Sequence, residues 1–459
     1  MSTAGPGPED GAGSGAAATS FAQQYFVRNF LMLITENTGF VVAITFVGMT
    51  TVVPTFVSQL GGSAFLVGLV AACQTAGWML PQLAGARIVA GKPRMAPYML
   101  APLYVGRPAF LLVGIVVLLV GSRANALILV ILYAALLLFF STDGLSSVPW
   151  YEFIGKTIPA ERRGRMFGIA QVAGGLAGIG VGWLIAVISG SRALPFPANY
   201  GVLFSISGGL FILNVVPFLF VKEPVDGLAV KAPPPTTSGG FLRTVTGILR
   251  GDANFLRAVG SRLLYGTAIG TFPFYILLMN RKLAIGAEGL GLFTSSQVLG
   301  NLTGGLVIGW IADRFGTTRV IRLGSLVAAL IPVVGLLLVA MPAAEAGRGI
   351  VGALGTNPLI YFAVLIFFLM GFAGPVALIG FASYVLEAAP LSDRSTYMGL
   401  FNALSGVLMV VSPLAGWLLG ATSFALLFAV SLVIGIASFV VSLGLAEPPR
   451  SRRYRRARR

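Results

Sequence analysis

Twelve long apolar stretches, separated by short polar loops, run along this chain and limit what it can fold into. About 20 apolar residues cross a bilayer as one helix, and only helices or closed barrels satisfy their backbone groups there. Apolar residues make up 56% of the 459 residues and charged residues only 10%. We therefore predict an all-α membrane protein with twelve transmembrane helices. The predicted spans are 32–58, 64–84, 96–120, 125–149, 166–189, 200–221, 257–280, 288–311, 320–341, 358–386, 396–420 and 422–446.

The spans fall into two groups of six on either side of one long loop. That loop contains Pro233, Pro234 and Pro235 followed by Thr, Ser and Gly, which is typical of an extended linker. The predicted organisation is a disordered cytoplasmic N-terminus without a cleaved signal peptide, a first bundle, a linker, a second bundle and a polybasic tail. These parts cover residues 1–28, 29–221, 222–256, 257–446 and 447–459, respectively.

Corresponding loops of the two groups resemble each other. Pro159, Arg163 and Gly168 follow the fourth span, and Pro390, Arg394 and Gly399 follow the tenth span at the same offsets. Internal repeats of this kind are typical of transporters whose halves rock against one another. The sequence therefore predicts two pseudo-symmetric halves.

The basic residues predict the orientation. Of the 31 lysines and arginines, twenty-four fall in loops on the side of the N-terminus or in the tail, and five fall on the other side. By the positive-inside rule, both termini are predicted to be cytoplasmic in a plasma or inner membrane. We expect the tail, with seven arginines from Arg450 to Arg459, to bind anionic inner-leaflet lipids rather than nucleic acid.

Missing residue types exclude several kinds of chemistry. The chain has no histidine and one cysteine, Cys73, so histidine-dependent catalysis, histidine-ligated metals and an intramolecular disulfide are excluded. It also has no Gly-x-x-x-x-Gly-Lys-Ser/Thr loop for nucleotide phosphates. We therefore expect no enzyme activity, no metal and no cofactor.

In the first six predicted spans, three ionisable residues lie at depths where charge is costly and often functional. Glu36, Arg107 and Asp143 are placed in the cytoplasmic half of the membrane or near its middle. Burial disfavours an ionised carboxylate and a nearby arginine favours it, so a moving pair can load and release a proton. The alternative is a static pair that only neutralises Arg107. Asp143 is the preferred coupling residue.

Uncharged polar and aromatic residues recur at helical spacing within the spans, which gives several helices a face turned away from lipid. As a set they predict the lining of a substrate cavity, although each could instead form a hydrogen bond between helices. Arg262 has two further interpretations, a snorkelling arginine and a contact for an anionic solute or a gate. The candidates are Asn37, Gln74, Trp78, Gln171, Arg262, Tyr265, Tyr275, Gln297, Asn301 and Asn402.

The loop after the eighth span carries the most specific motif, Gly-Trp-Ile-Ala-Asp-Arg-Phe-Gly at 309–316. It resembles the Gly-x-x-x-Asp-Arg-x-Gly signature of the major facilitator superfamily. The resemblance implies that family's fold, with a site at mid-membrane between two six-helix halves. It also implies a conformational lock. The lock residues are Gly309, Asp313, Arg314, Gly316 and Arg319.

Other positions depart from the family's patterns. Ile88 stands where the signature after the second span has Asp, which puts a lock in the first half in doubt. The proton-coupled drug exporters of the family carry an arginine in the fourth span and a Gly-Pro pair in the fifth. Residues 140–144 have no arginine and the fifth span has no proline, which weakens an assignment to those exporters.

The expected function is secondary transport of a small solute by rocker-switch alternating access. Proton coupling is a hypothesis, and the resemblance slightly favours export, as by an antiporter. One alternative is an uncoupled facilitator, and another, from a different class, is a non-transporting receptor or scaffold. The expected partners are a small-molecule substrate, protons and lipid, and the protein is expected to be a monomer.

Overall fold

The computed structural model describes residues 23–89, 91–224, 246–282, 289–341, 359–390 and 393–448. Residues 1–22, most of the linker and residues 449–459 lie outside this part, and with them the predictions for the N-terminal lead and the arginine-rich tail. Within the described residues, the regular secondary structure is helical. Ten segments are long and apolar enough to cross a membrane.

The helices before the linker form a first group. They are α1 (Phe26–Val47), α2 (Val52–Gln59), α3 (Ala64–Met79), α4 (Gln82–Val89), α5 (Ala96–Gly106), α6 (Ala109–Val120), α7 (Asn125–Thr157), α8 (Ala160–Ser189), α9 (Ala198–Leu213) and α10 (Val216–Phe220). The helices after it form a second group. They are α11 (Ala253–Ile269), α12 (Phe272–Lys282), α13 (Gly289–Phe315), α14 (Thr317–Ala340), α15 (Leu359–Ala373), α16 (Ser383–Ala388), α17 (Arg394–Ser405), α18 (Val411–Ala421) and α19 (Phe424–Leu443).

Two of the predicted spans form one hairpin. The segment Ala96–Thr157 is counted as a single 62-residue candidate. It is interrupted by a 3-10 turn at Gly121–Ala124, where Gly121 adopts φ of 58°, and α5 and α6 then pack back along α7. A left-handed backbone conformation of this kind favours glycine.

α13 is not among the ten candidates, although it is 27 residues long. The prediction of twelve spans therefore stays a prediction.

An asparagine near the start of each group forms hydrogen bonds with the segment that follows the last helix of that group. Asn29 donates to the carbonyl of Lys222 at 3.0 Å and accepts from its amide at 2.9 Å. Asn254 accepts from the amide of Ala446 at 3.0 Å. Both asparagines are followed by Phe, and both tied residues are followed by Glu-Pro. We call the membrane face of these contacts the linker side and the opposite face the far side.

The two groups contact each other through α8 with α13, α3 with α18, and α2 with α12. On the far side these contacts are close. A Cβ atom on Gly182 would lie 2.0 Å from Ser295 Oγ, and one on Gly68 would lie 2.1 Å from the carbonyl oxygen of Ser412. Asn280 donates to Thr55 across the same side at 3.4 Å.

Toward the linker side the facing helices separate. On α8, Gly164 and Gly168 have open space where a side chain would be, and so have Gly305 and Gly309 on α13. The structure is therefore closed between the groups on the far side and open on the linker side.

The helices extend beyond the apolar stretches on which the predicted spans were based. α1 begins at Phe26 rather than at residue 32, and α7 ends at Thr157 rather than at residue 149. At about 1.5 Å per residue, Glu36 lies roughly 15 Å along α1, and Asp143 lies about 21 Å from the end of α7. Both carboxylates therefore lie deeper along their helices than the predicted spans placed them.

Candidate functional site

A cavity that opens to solvent lies within the first group, between α1, α3, α5, α7 and α10, with about 620 Å³ of empty space when the open part is included. It is in the linker-side part of the molecule, because it reaches from Glu36 to Tyr151 near the end of α7. Three ionisable side chains and several aromatic rings meet there. The lining residues are Glu36, Asn37, Phe40, Trp78, Leu103, Arg107, Asp143, Ser146, Ser147, Trp150, Tyr151 and Phe218.

Arg107 and Asp143 form a buried ion pair at the wall of this cavity. Arg107 donates from Nη2 to Asp143 Oδ1 at 3.0 Å, and the two residues are 5% and 8% exposed. The other guanidinium nitrogens, Nε and Nη1, have no hydrogen bond. Instead the guanidinium lies 5.0–5.5 Å from the ring centroids of Phe40, Phe139 and Phe211. Aromatic faces attract a cation, so the rings and the carboxylate together stabilise a buried arginine.

Glu36 lies in the same cavity without a basic partner within salt-bridge distance among the described residues. Its Oε1 accepts from Asn214 Nδ2 at 3.3 Å, and its Oε2 is buried without a hydrogen bond of normal geometry, with Trp150 nearby. The residue is 4% exposed. Among Glu36, Arg107 and Asp143, Glu36 is therefore the one without an oppositely charged partner at salt-bridge distance.

The second group carries a half-buried arginine and a buried tyrosine at a similar distance from the linker side. Arg262 is half-buried on α11, and its guanidinium lies 5.8 Å from the ring centroid of Phe381. Its Nη1 has no hydrogen-bond partner, and the described residues give it no salt bridge. Tyr265, one turn along the helix, is fully buried and donates to the carbonyl of Ala373 at 2.6 Å.

Three of the other cavity candidates form hydrogen bonds between the groups. Gln171 donates to Asn301 at 3.1 Å, and Gln297 accepts from Thr50 at 2.6 Å. This geometry corresponds to the alternative interpretation, in which membrane amides hold helices together. Gln74 is half-buried on α3 and Asn402 is exposed on α17, and neither lines the 620 Å³ cavity.

Tyr275 packs in the core rather than in a cavity. It is fully buried and stacks on Phe428 with a centroid separation of 4.3 Å and an interplanar angle of 11°. The one-faced spacing that suggested a cavity position is equally consistent with a helix face turned into the core.

The motif at 309–316 lies at the linker-side end of α13. Asp313 and Arg314 are exposed, and Asp313 makes no salt bridge within the described part of the chain. Arg314 and Arg319 lie over the ring of Phe315, at 5.7 and 5.0 Å. Gly316 ends the helix with φ of 90°, a conformation that favours glycine. A Cβ atom on Gly309 would have open space around it in this conformation, and the lock stays a prediction.

Several residues around the ionisable groups escaped prediction. Phe40 of α1, Trp150 of α7 and Asn214, in the turn after α9, are contacts of Arg107 or Glu36. Aromatic residues and a lone asparagine carry little signal among so many apolar neighbours. Asn29 and Asn254 do have a signal in the sequence, since an Asn-Phe pair lies near the start of each group and a Glu-Pro pair lies at its end.

Comparison with known families gives a match in the second part of the chain. The family described as Major Facilitator Superfamily matches residues 258–459. A D-xylose transporter of Levilactobacillus brevis is 26% identical over 163 residues, which are 35% of this chain and 31% of that protein. The chain thus matches about a third of the length of this curated relative.

Solved structures extend the similarity to most of the chain. The structure of a nucleoside transporter, NupG, aligns with this chain at a TM-score of 0.65 and 15% sequence identity. The alignment covers 91% of this chain and 100% of the NupG chain. A D-xylose-proton symporter has a TM-score of 0.65 at 13% identity, covering 92% and 98% of the two chains. At this identity the comparison concerns the fold. The family match therefore confirms the resemblance to the major facilitator superfamily over residues 258–459. The solved structures add that most of the chain shares the fold of the two transporters named here.

Proposed function

We propose that the protein is a secondary transporter that moves a small polar solute by rocker-switch alternating access. The twelve predicted spans would form two six-helix halves, consistent with the reversal within Ala96–Thr157 and with α13 as a further span. The matched asparagine contacts of Asn29 and Asn254 support a repeat. Contacts concentrated on the far side support a conformation that opens to the linker side, where both termini would be cytoplasmic.

Proton coupling is proposed to act through the cavity in the first group. The observation that carries this proposal is the meeting of Glu36, Arg107 and Asp143 in one cavity of about 620 Å³. Asp143 is bonded to Arg107, which favours its ionised form, whereas Glu36 has no such partner. Glu36 is therefore the better proton carrier, and Asp143, the residue preferred from the sequence, would keep Arg107 in place.

The direction of transport and the cell membrane as its location are parts of the same proposal. Export is slightly favoured by the resemblance, but a proton that enters Glu36 from one side can drive a solute either way. The name of one structural neighbour, a D-xylose-proton symporter, describes movement of solute and proton together. The alternatives remain an uncoupled facilitator and a receptor or scaffold.

The test is proton movement in proteoliposomes under an imposed pH gradient while a panel of solutes is added. Wild type is compared with Glu36→Gln, Asp143→Asn and the control Glu161→Gln, which removes an exposed carboxylate at the start of α8. We expect a solute to trigger proton movement in wild type and in the control but not in Glu36→Gln. Solute uptake without proton movement would instead indicate a facilitator, and no uptake of any solute would favour a receptor or scaffold.

A further inference from the structure

The buried charges divide unequally between the two groups. In the first group, Arg107 and Asp143 neutralise each other at 3.0 Å, which leaves Glu36 as the buried carboxyl group of the cavity without a basic partner at salt-bridge distance. In the second group, Arg262 is one unpaired positive charge. The described carboxylates of that group lie at helix ends or in adjoining turns, away from the middle of α11. They are Asp252, Asp313, Glu387, Asp393 and Glu447.

The two unpaired charges lie at matching depths. Glu36 follows Asn29 by seven residues on α1, and Arg262 follows Asn254 by eight on α11. At about 1.5 Å per residue these spacings are roughly 10 and 12 Å from the linker-side contacts. The continuations of both helices meet on the far side, where Thr55 of α2 accepts from Asn280 of α12. Glu36 and Arg262 therefore lie at similar depths on the first helices of opposite groups, one residue apart relative to the two asparagines.

Arg262 also lies next to the surface that the two groups share. A Cβ atom on Gly266 would lie 3.0 Å from Arg262 Nη1 and 2.3 Å from Leu408 Cδ1. Leu408 belongs to the 3-10 segment Gly406–Val410, which packs on α3 of the first group. In the present conformation Arg262 does not line the cavity of Glu36. Closure on the linker side would bring the first group toward it.

We propose that the transported solute is bipolar, with a cationic group that binds Glu36 and an anionic group that binds Arg262. This inference rests on the proposed transport function. A buried charge without a partner is costly, and a bipolar solute satisfies one such charge on each group. A solute with a single charge leaves the other residue unsatisfied. The bipolar solute therefore favours closure, which links recognition to the conformational change.

The aromatic residues of the cavity fit the cationic end of such a solute. Phe40, Trp78 and Trp150 line the cavity that contains Glu36, and aromatic faces attract an alkylammonium group. Arg107 is a poorer site for the anionic end than Arg262, because Asp143 already neutralises it and three phenylalanine rings surround it.

The test is binding of ω-amino acids of increasing chain length, from two to eleven methylene groups, measured by calorimetry on the purified full-length protein. Alkylamines and alkanoates of the same lengths serve as single-charge probes. A charge-assisted hydrogen bond contributes about 1.5–3 kcal/mol, so we expect the best ω-amino acid to bind at least about tenfold more tightly than either matched probe.

Two variants assign the ends of the solute. In Glu36→Gln the ω-amino acid should bind no more tightly than the alkanoate, and in Arg262→Gln no more tightly than the alkylamine. The controls Glu161→Gln and Arg192→Gln remove exposed charges elsewhere and should keep the preference. Elution as a single monodisperse species and an unchanged melting temperature exclude misfolding of the variants.

Other outcomes would overturn this inference. Equal affinity for the alkylamine and the ω-amino acid would show that Arg262 does not contact the solute, and failure of the whole series to bind would exclude the bipolar class. Neither result depends on transport. A chain that moves protons with a plain amine or a neutral solute would keep the proposed function and refute the bipolar solute.

Discussion

The buried guanidinium of Arg107 is stabilised by one carboxylate and three aromatic rings. Asp143 supplies the negative charge, and the rings of Phe40, Phe139 and Phe211 cover the rest. Removing one member of a buried pair leaves an uncompensated charge, whereas removing both charges avoids this cost. Removing Arg107 or Asp143 alone should therefore destabilise the protein more than removing both charges together.

For Arg107→Met we expect a loss of about 3–5 kcal/mol in the free energy of unfolding, because Asp143 is left buried without a counterion. The double variant Arg107→Met with Asp143→Asn should recover a large part of that loss. The measurement is unfolding by SDS titration in mixed micelles, with Arg192→Met as the exposed control. A double variant as unstable as the sum of the two single variants would contradict this account.

The sequence predicted which residues are ionisable at depth but not which of them pair. Arg107 was equally compatible with Asp143 and Glu36, because each lies within reach if its helix is suitably rotated. The choice depends on how α5, α6 and α7 pack, and helix rotation is not readable from apolar stretches this uniform. Tyr275 shows the same limit, since its helical spacing could not distinguish a core face from a cavity face.

At the scale of elements, glycines decide how closely the two groups approach. Gly182 on α8 faces Ser295 and Gly291 on α13, and Ser295 Oγ donates to the carbonyl of Ile179 at 3.1 Å. Gly174, on the same helix, instead packs on Val41 of α1. Small residues spaced by four allow such backbone contacts in membranes. Gly174, Gly178 and Gly182 have this spacing, but the spacing alone does not show that α8 contacts two different partners.

We expect Gly182→Leu to open the far side, because even a Cβ atom at this position would lie 2.0 Å from Ser295 Oγ. Opening is measured as the rate at which a cysteine introduced as Thr50→Cys reacts with a maleimide, in a Cys73→Ala background. Thr50 donates to Gln297 between the groups and is half-buried there.

The matched control for this experiment is Gly180→Leu. Gly180 lies on the same helix with open space where its side chain would be. The rate should rise several-fold in Gly182→Leu and stay at the wild-type value in Gly180→Leu. Equal reaction rates in the wild-type, Gly182→Leu and Gly180→Leu backgrounds would mean that closure of the far side does not depend on the contact between α8 and α13 at Gly182.

Helix boundaries show why the depth of the site was underestimated from sequence. An apolar stretch ends where polar residues begin, but α1 and α7 continue through polar residues toward the linker side. Some of these have partners inside the protein. Asn29 is buried against Lys222, and Lys156 donates to the carbonyl of Pro93 at 3.0 Å. A hydropathy pattern shows which residues can be exposed to lipid. It does not identify polar residues such as Asn29 and Lys156, which are buried within the protein.

For the whole molecule, alternating access requires that the open linker side can close. The α8–α13 contact runs from Gly182 with Ser295 on the far side to Gln171 with Asn301 near the middle. If the two helices continued to pack at the same register, Gly168 would next meet Gly305, and Gly164 would meet Gly309. All four glycines now have open space at the Cβ position. They form a small-residue surface suited to close contact in a second conformation.

We therefore expect the cysteine pair Gly164→Cys with Gly309→Cys, in the Cys73→Ala background, to cross-link only when the linker side closes. A transported solute should raise the cross-linking rate several-fold, because a bound solute favours closure. The measurement is the mobility shift of the protein after brief oxidation in membranes. Gly164→Cys with Gly180→Cys provides the control, since both positions lie on α8, 16 residues and about 24 Å apart.

The outcome also assigns a role to the glycine of the 309–316 motif. Solute-dependent cross-linking would explain Gly309 as a residue that is contacted in the closed state, although the space at its Cβ position is open in this one. Asp313, four residues further and exposed in this conformation, would then approach the start of α8, where Arg162 and Arg165 are exposed. A cross-link that forms equally with and without solute, or never forms, would mean that α8 and α13 do not close along this surface.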